Sequence, residues 1–170
     1  MGVGIDVNIQ MLTLCMVQDG NRILLINRPA EKGFPGYIAP GGKVDFPESI
    51  VDGAIREVRE ETGLIATEIA YKGLNESCDI SSGLRYMVFN YLITSFEGEL
   101  LKNPPEGELL WAHLDELGDL PMQSWFRERI PMFFQPGVFE YSTIWDKASD
   151  ITLNKTKKHY SLEGRAGGTK

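Results

Sequence analysis

The sequence predicts a single domain of the mixed α/β (α+β) class, in which a β-sheet lies between helices. Its 170 residues suit one domain with one sizeable core. Strand-like apolar stretches lie on both sides of an amphipathic helix predicted at residues 48–62. A second stretch with helical spacing comes late, at residues 122–134. Two helices and several strands favour a helix–sheet–helix sandwich.

The N-terminal region predicts a hairpin followed by a loop. Residues 9–18, IQMLTLCMVQ, are largely apolar and indicate a buried strand. An Asp-Gly turn signal follows, and residues 22–27, RILLIN, predict the partner strand. Residues 28–37 are polar with two prolines and two glycines, which indicates a loop. The loop leads to a glycine turn, APGGKV, at residues 39–44.

The helix predicted at residues 48–62 has recognisable ends. Pro47 precedes it and Gly63 follows it, as expected for helix boundaries. Gly53 lies inside it at a cost of about 1 kcal/mol relative to alanine. We expect the missing side chain to leave open space one turn from Glu57. The apolar residues that share one face of the helix are Ile50, Val51, Ala54, Ile55 and Val58.

Four apolar stretches after this helix predict strands. The first has room for one or two strands, and the last alternates like a strand at the edge of the sheet. An exposed edge permits dimerisation, so both a monomer and a homodimer stay open. Pro131 should kink or end the late helix. The four stretches are residues 64–78, 84–96, 109–114 and 138–145.

Charge divides the chain into two unequal parts. The net charge is −7, yet residues 147–170 contain six Lys and Arg against two Asp and Glu. We expect residues 1–146 to form the domain and residues 147–170 to form a basic, partly disordered tail. The acidic body argues against stable nucleic-acid binding. No membrane span and no secretory signal is apparent, which favours a cytoplasmic protein with free thiols at Cys15 and Cys78.

Glu57, Glu60 and Glu61 place three negative charges on one helical face, where they repel one another. Carboxylate oxygens are hard ligands that suit Mg²⁺ or Mn²⁺. Bound cations would relieve the repulsion, hold a diphosphate and activate water. Gly41 and Gly42 would add exposed carbonyls and let a substrate approach the backbone. Taken alone, the same residues are more typical of a solvated helix surface with ion pairs at helical spacing, such as Arg56 with Glu60.

The spacing around the glutamates favours the metal-binding interpretation. Five residues separate Gly42 from Glu48, and seven more precede the stretch REVREETGL. This pattern resembles the Nudix box, Gly-x5-Glu-x7-Arg-Glu-U-x-Glu-Glu-x-Gly-U, where U is a bulky aliphatic residue. Every specified position is matched, by Gly42, Glu48, Arg56, Glu57, Val58, Glu60, Glu61, Gly63 and Leu64.

The resemblance implies the Nudix fold, a mixed β-sheet between helices, and hydrolysis of a nucleoside diphosphate linked to a moiety X. It implies a divalent cofactor, Mg²⁺ or Mn²⁺, and a pairing of Glu48 with Arg56. The implied metal ligands are Glu57, Glu60, Glu61 and the carbonyl of Gly42. The implied catalytic residues are Glu48, Arg56, Glu57, Glu60 and Glu61. The general base varies in the family, and the candidates here are Glu60, Glu61, Glu97, Glu99, Glu106 and Glu108.

Over about residues 10–145 the chain loosely resembles the MutT branch, which hydrolyses oxidised purine nucleotides. This implies conversion of a purine (d)NTP to (d)NMP and diphosphate. The mammalian member reads the base with an asparagine, where this chain has Tyr37 and Ile38. It also uses a tryptophan and two aspartates, and here Arg127 and Glu128 follow the tryptophan. These departures argue against strict reading of 8-oxoguanine.

We expect the substrate, a small nucleotide, to contact the glycine turn, the loop before it and the late helix. Tryptophan and other aromatic side chains there can stack on a base or pack in the core. Alternatives are ADP-ribose or another nucleotide sugar, the 5′ diphosphate of RNA, and a catalytically silent Nudix fold that acts as a sensor. The predicted substrate-binding residues are Gly41, Gly42, Lys43, Phe34, Tyr37, Ile38, Trp125 and Glu128.

Overall fold

The computed structural model describes residues 6–161. It contains eight strands and two α-helices within that range, together with two short 3-10 turns. In chain order they are β1 (Asn8–Asp19), β2 (Arg22–Arg28), the turn Ala30–Lys32, β3 (Gly36–Ile38), α1 (Ile50–Thr62), β4 (Ile65–Asp79), β5 (Leu84–Glu97), β6 (Glu108–His113), the turn Leu117–Asp119, α2 (Ser124–Phe133), β7 (Val138–Asp146) and β8 (Ile151–Tyr160).

The strands form one mixed sheet in the order β3-β2-β1-β5-β4-β7-β8, and β6 pairs with the other edge of β2. The pairs β1–β5 and β4–β7 are parallel, whereas the other neighbours are antiparallel. β1 and β2 are paired only near their shared turn. The predicted hairpin and the mixed sheet are confirmed, and the loop after β2 contains the short strand β3.

The two helices cover opposite faces of the sheet. Alternation along β1 sends Leu14 and Met16 into a core with α2, and Cys15 and Val17 into a core with α1. The α2 core is rich in aromatic side chains, whereas α1 contributes Ala54 and other small residues. The predicted sandwich is therefore confirmed. None of the helices within residues 6–161 is long and apolar enough to cross a bilayer.

Both ends of α1 are capped, the C-terminal end by Gly63 as predicted and the N-terminal end by Ser49. The Ser49 hydroxyl accepts a hydrogen bond from the Asp52 N–H at 3.1 Å. Gly63 adopts a left-handed conformation with φ 85° and donates its N–H to the Arg59 carbonyl. α2 continues to Phe133, so that Pro131 lies in its last turn rather than ending it outright.

The region after Asp146 corrects the sequence analysis. Residues 151–160, expected in a partly disordered tail, form β8 and pair with β7 along its whole length. β7 is consequently not the edge of the sheet. All ten β8 side chains are exposed, so no apolar alternation marks this strand in the sequence. Residues 162–170 of the predicted tail lie outside the described residues.

Candidate active site

The glycine turn of the box is attached to β1 by backbone hydrogen bonds. The N–H of Thr13 donates to the Gly42 carbonyl and that of Cys15 to the Pro40 carbonyl, each at 2.8 Å. Gly41 has φ 151°, and a side chain there would collide with the Thr13 carbonyl. The turn thus lies tightly against the strand, and its exposed side faces α1.

Two box glutamates meet this turn. The Glu61 Oε2 accepts a hydrogen bond from the Gly41 N–H at 2.8 Å. The Glu57 carboxyl group lies so close to Gly42 that a Cβ there would be 2.6 Å from its Cδ. The turn and α1 therefore bring the Glu57 and Glu61 carboxylates to the same few backbone atoms.

Arg56 connects the remaining acidic residues of the box. Its Nε and Nη2 donate to the two Glu48 oxygens at 3.0 and 2.6 Å, the bidentate geometry that arginine favours. Its Nη1 donates to Glu57 Oε1 at 2.8 Å and to Glu60 Oε2 at 3.1 Å. Nη2 also donates to the Lys43 carbonyl at 2.9 Å. The implied Glu48–Arg56 pair is present, and it joins α1 to the glycine turn.

The space at Gly53 is not open, contrary to the sequence analysis. A Cβ on Gly53 would lie 2.9 Å from Glu48 Oε1 and 3.4 Å from a methyl group of Val44. The Glu48 carboxylate occupies this space because it folds back over α1 to reach Arg56. The glycine therefore accommodates the Glu48–Arg56 pair rather than a substrate.

The carboxylates of the box have opposite electrostatic surroundings. Hydrogen bonding to Arg56 lowers the pKa of Glu48 to about 2. Burial raises the pKa of Glu61 to about 8, the hydrogen bond from Gly41 opposes this, and the charges of Glu57 and Glu106 add to it. In contrast to Glu48, Glu61 makes no ion pair within 4 Å among the described residues.

The donor set fits a hard divalent cation, although the side chains are not yet gathered around one point. Within residues 6–161 no three acidic, histidine or cysteine side chains converge as a ready metal site. Glu57 and Glu60 bond to Arg56 instead. Yet Glu57 and Glu61 are half-buried oxygen donors beside one turn, and no described residue places a positive charge within 4 Å of the Glu61 carboxylate, because Arg28 acts on it only from further away. A cation would supply that charge.

The backbone carbonyl oxygen that is available to a metal belongs to Gly41, whereas the sequence predicted that of Gly42. The Gly42 oxygen accepts the hydrogen bond of Thr13 and so is not the exposed ligand that the sequence analysis assumed. The carbonyl of Gly41 accepts no hydrogen bond in the described part of the chain. Since successive carbonyls of an extended chain point in opposite directions, Gly41 presents the available oxygen.

A cavity of about 600 Å³ extends from the box across the α2 face of the sheet. It includes Glu61 at one end and Trp125 of α2 further along. A volume of this size suits a small-molecule ligand. The predicted substrate residues that line it are Phe34, Ile38, Gly41, Gly42, Lys43 and Trp125.

Two predicted substrate residues lie elsewhere. Tyr37 packs against the core of the α2 face, and its backbone N–H donates to the Pro121 carbonyl. Glu128 accepts hydrogen bonds from the Tyr141 hydroxyl at 2.9 Å and from Lys155 Nζ at 3.1 Å. Neither lines the cavity, because both are engaged in contacts that join elements of the fold.

Several cavity residues escaped the sequence analysis. Arg129 follows Trp125 at i+4, so helical spacing does place both on one face of α2. The others are on strands, and only the order of the strands in the sheet shows that they lie close together. The principal missed residues are Thr13, Arg28, Asn75, Arg129, Tyr141 and Trp145.

The structure distinguishes among the four loop acids. Glu106 lies 3.5 Å from Arg28 and from Lys32, and its charge is felt by Glu61. Glu97, Glu99 and Glu108 are exposed. Among these four, Glu106 is thus the acid that lies near enough to the box for its charge to raise the pKa of Glu61.

Comparisons with known proteins agree with this architecture. Residues 10–133 match the NUDIX domain family model. The chain therefore belongs to the Nudix family, and it is a MutT-like Nudix hydrolase that acts on phosphoric anhydride bonds. Nudix hydrolases generally use a divalent metal and act on small nucleotide substrates.

Individual relatives support the same assignment. The chain is 33% identical over 119 residues to an uncharacterised Nudix hydrolase, YvcI, of Bacillus subtilis, covering 67% of this chain and 72% of the relative. It is 30% identical over 116 residues to an ADP-ribose pyrophosphatase of Methanocaldococcus jannaschii, covering 68% and 66%. A crystal structure of a mutator MutT protein from Bacillus halodurans superposes with a TM-score of 0.73 at 29% identity, covering 88% and 97%.

Proposed function

We propose that this protein is a Mg²⁺- or Mn²⁺-dependent pyrophosphohydrolase that converts a purine nucleoside triphosphate to the monophosphate and diphosphate. The observation that carries this proposal is the continuity of the cavity. It joins Glu61 and the glycine turn to aromatic and polar side chains on α2 and the sheet. Such a cavity accommodates the phosphates at one end and a base at the other.

At the phosphate end, Lys43 and the glycine backbone supply the recognition. Lys43 is exposed and lines the cavity, so its ammonium group can pair with a phosphate. Gly41 and Gly42 have no side chains, which lets the chain of phosphates approach the backbone. Arg28, which also lines the cavity, adds a second cation, and its charge acts on Glu61.

The residues fit a divalent cation held by Glu57, Glu60, Glu61 and the Gly41 carbonyl. When bound, such a cation acts as a Lewis acid on the phosphate oxygens and lowers the pKa of water. Arg56 keeps the Glu57 and Glu60 carboxylates near the turn. Glu48 holds Arg56 in that position from the opposite side.

In the hydrolysis, a water oxygen adds to phosphorus and the P–O anhydride bond breaks. The leaving diphosphate keeps the electron pair, and the proton of the water passes to a box carboxylate, Glu60 or Glu61. Glu61 lines the cavity, whereas Glu60 is exposed and bonds to Arg56. We propose a purine base because of the resemblance to the MutT branch. We also propose a cytoplasmic location for the protein.

A second candidate substrate is ADP-ribose or another nucleotide sugar. It is favoured by the 30% identity to the ADP-ribose pyrophosphatase of M. jannaschii. Both candidates contain the same diphosphate linkage, and the box serves each of them equally. The difference between them therefore depends on the part of the cavity away from the glycine turn.

The decisive experiment is a substrate panel of purine and pyrimidine (d)NTPs, nucleoside diphosphates, ADP-ribose and dinucleotides with Mg²⁺, Mn²⁺ or EDTA. We expect metal-dependent release of diphosphate from purine triphosphates. Glu60→Gln and Glu61→Gln should each lower kcat, and the larger loss identifies the base. If the wild-type protein hydrolyses no member of the panel, the proposed function is wrong.

A further inference from the structure

Three buried side-chain polar atoms within residues 6–161 lack a hydrogen-bond partner, and all three belong to residues of the cavity. They are Asn75 Oδ1, Arg129 Nε and Trp145 Nε1. Buried polar groups are nearly always satisfied, and leaving one unpaired is costly. Their concentration in one cavity indicates that a ligand completes their hydrogen bonds.

Arg129 is the most unusual of the three. Its side chain is almost fully buried, with only 3% of the residue exposed. Its Nη1 lies 3.5 Å from Asn90 Oδ1, at the limit of a hydrogen bond, and no carboxylate pairs with it among the described residues. Its guanidinium lies 5.2 Å from the centroid of the Trp125 ring. A buried cation without a counter-charge needs acceptors from elsewhere.

Strand register places Asn75 at the same end of the cavity as Arg129. Asn90, which Arg129 approaches, lies opposite Gly73 on β4, two residues before Asn75. Asn75 is itself buried and lies beside Tyr141 of β7. The donor Arg129 Nε is therefore positioned by α2, and the acceptor Asn75 Oδ1 is positioned by the central strand β4.

The same strand pairings give the distance between Asn75 and the glycine turn. Lys43 bridges to Leu12, Leu12 lies opposite Val88, and Val88 lies opposite Asn75. Three interstrand steps correspond to roughly 14 Å. A nucleotide with its phosphates at Lys43 therefore has its base near Asn75 and Arg129.

We propose that Arg129 and Asn75 determine base specificity by binding the hydrogen-bonding edge of a 6-oxopurine, such as guanine or hypoxanthine, in preference to adenine. This inference rests on the proposed function and narrows its substrate class. Arginine donors fit the O6 and N7 acceptors of guanine. The Asn75 carbonyl accepts the ring N1–H of the same base.

Adenine lacks this complementarity. It presents an amino donor in place of O6, so that a donor would face the buried guanidinium. The Arg129 donors would then stay unpaired in the complex, with a cost that disfavours binding. Trp125 and the aliphatic side chains of the cavity contact either purine and do not discriminate between them.

The test compares kcat/KM for GTP, ITP and ATP in the wild-type protein, Arg129→Met and Asn75→Leu. We expect the wild type to prefer GTP and ITP by at least ~10-fold, the ratio expected for a hydrogen bond to a charged group. Arg129→Met should remove this preference by lowering the values for GTP and ITP and leaving that for ATP within ~3-fold. Asn75→Leu should reduce the preference in the same direction.

Arg127→Met is the matched control, because Arg127 is on the same helix and donates to the Leu117 and Leu120 carbonyls away from the cavity. It should keep the preference. A wild type that shows no preference, or an Arg129→Met protein that loses all three activities equally, would overturn the inference. Thermal unfolding of each variant identifies a loss that comes from misfolding.

A binding measurement separates this inference from the proposed function. GMP and AMP are titrated in EDTA against the same proteins, and the shift of Tm is recorded. We expect GMP to stabilise the wild type more than AMP, and Arg129→Met to abolish the difference. Because no hydrolysis is involved, this result stands even if the substrate panel shows no activity, and equal shifts with GMP and AMP would contradict the inference.

Discussion

The carboxyl group of Glu57 occupies the space that a side chain on Gly42 would need. A Cβ at residue 42 would lie 2.6 Å from both Cδ and Oε2 of Glu57. Gly42 is not among the glycines with positive φ, so its backbone tolerates other residues. Position 42 therefore requires glycine because of the Glu57 carboxylate and not because of the turn conformation. This requirement links the first residue of the box to the helix that carries the predicted metal ligands.

Gly42→Ala should therefore impair the site without unfolding the protein. The methyl group displaces the end of a flexible side chain, so the fold adjusts while Glu57 leaves the turn. We expect activity and Mg²⁺ affinity to fall by ~10–100-fold, as for changes that misplace a metal ligand, with little change in Tm. Gly118→Ala, which meets nothing within 4 Å, is the control. Full activity in Gly42→Ala would refute this role of the glycine.

Gly53→Ala should gain less stability than helix propensity suggests. Alanine in a helix interior is favoured by about 1 kcal/mol, but the new methyl group would displace Glu48 from Arg56. We expect a smaller gain in the free energy of unfolding and an activity loss of ~10-fold. In a Glu48→Ala background the full helix gain should return. Urea denaturation of the wild type, the two single variants and the double variant measures this coupling. Strictly additive changes in the free energy of unfolding would argue against it.

The Glu48–Arg56 pair should make stability depend on pH in a defined window. The pKa of Glu48 is lowered to about 2 in the folded protein, against about 4.3 in an unfolded chain. Its contribution is thus present above pH ~4.3 and disappears as pH falls towards 2. The Tm of the wild type in EDTA should exceed that of Glu48→Gln by a constant amount above pH ~5, and the gap should close below it. A gap that persists at pH 2 would mean that the charge of Glu48 is unimportant.

The sequence predicted those parts of the site that depend on spacing along the chain. Gly63 follows the end of α1 as predicted, and the box spacing places Glu57 and Glu61 beside the glycine turn. These relationships are local, so one helix and one turn determine them. The pairing of Glu48 with Arg56 was likewise implied by the box and is present.

The far end of the cavity depends on which strands become neighbours. Asn75 and Trp145 enter the cavity from β4 and β7, and nothing in their local sequence indicates that these strands lie side by side. Arg129 is the exception, since it shares a helix face with Trp125. Its burial, however, depends on the sheet beneath α2. Substrate specificity was accordingly the least predictable property of the site.

Removal of residues 147–170 should weaken substrate binding more than catalysis. The deletion takes away β8 and with it Asp150, Thr152 and Lys155 from the wall of the cavity. The box contacts no residue of β8, so we expect KM for the nucleotide to rise ~10-fold or more, by analogy with the loss of a charged hydrogen bond, and kcat to change less. The exposed β7 edge should also promote self-association, which size-exclusion chromatography detects.

Lys155→Gln in the full-length protein separates the charge from the strand. It removes the positive charge that Lys155 places 3.1 Å from Glu128 and keeps the backbone pairing of β8 with β7. We expect a modest rise in KM without self-association, because a partly exposed ion pair contributes little to the fold. If the deleted protein keeps the KM of the full-length chain, β8 is not part of the binding wall. If Lys155→Gln reproduces the whole effect of the deletion on KM, the charge rather than the strand is responsible.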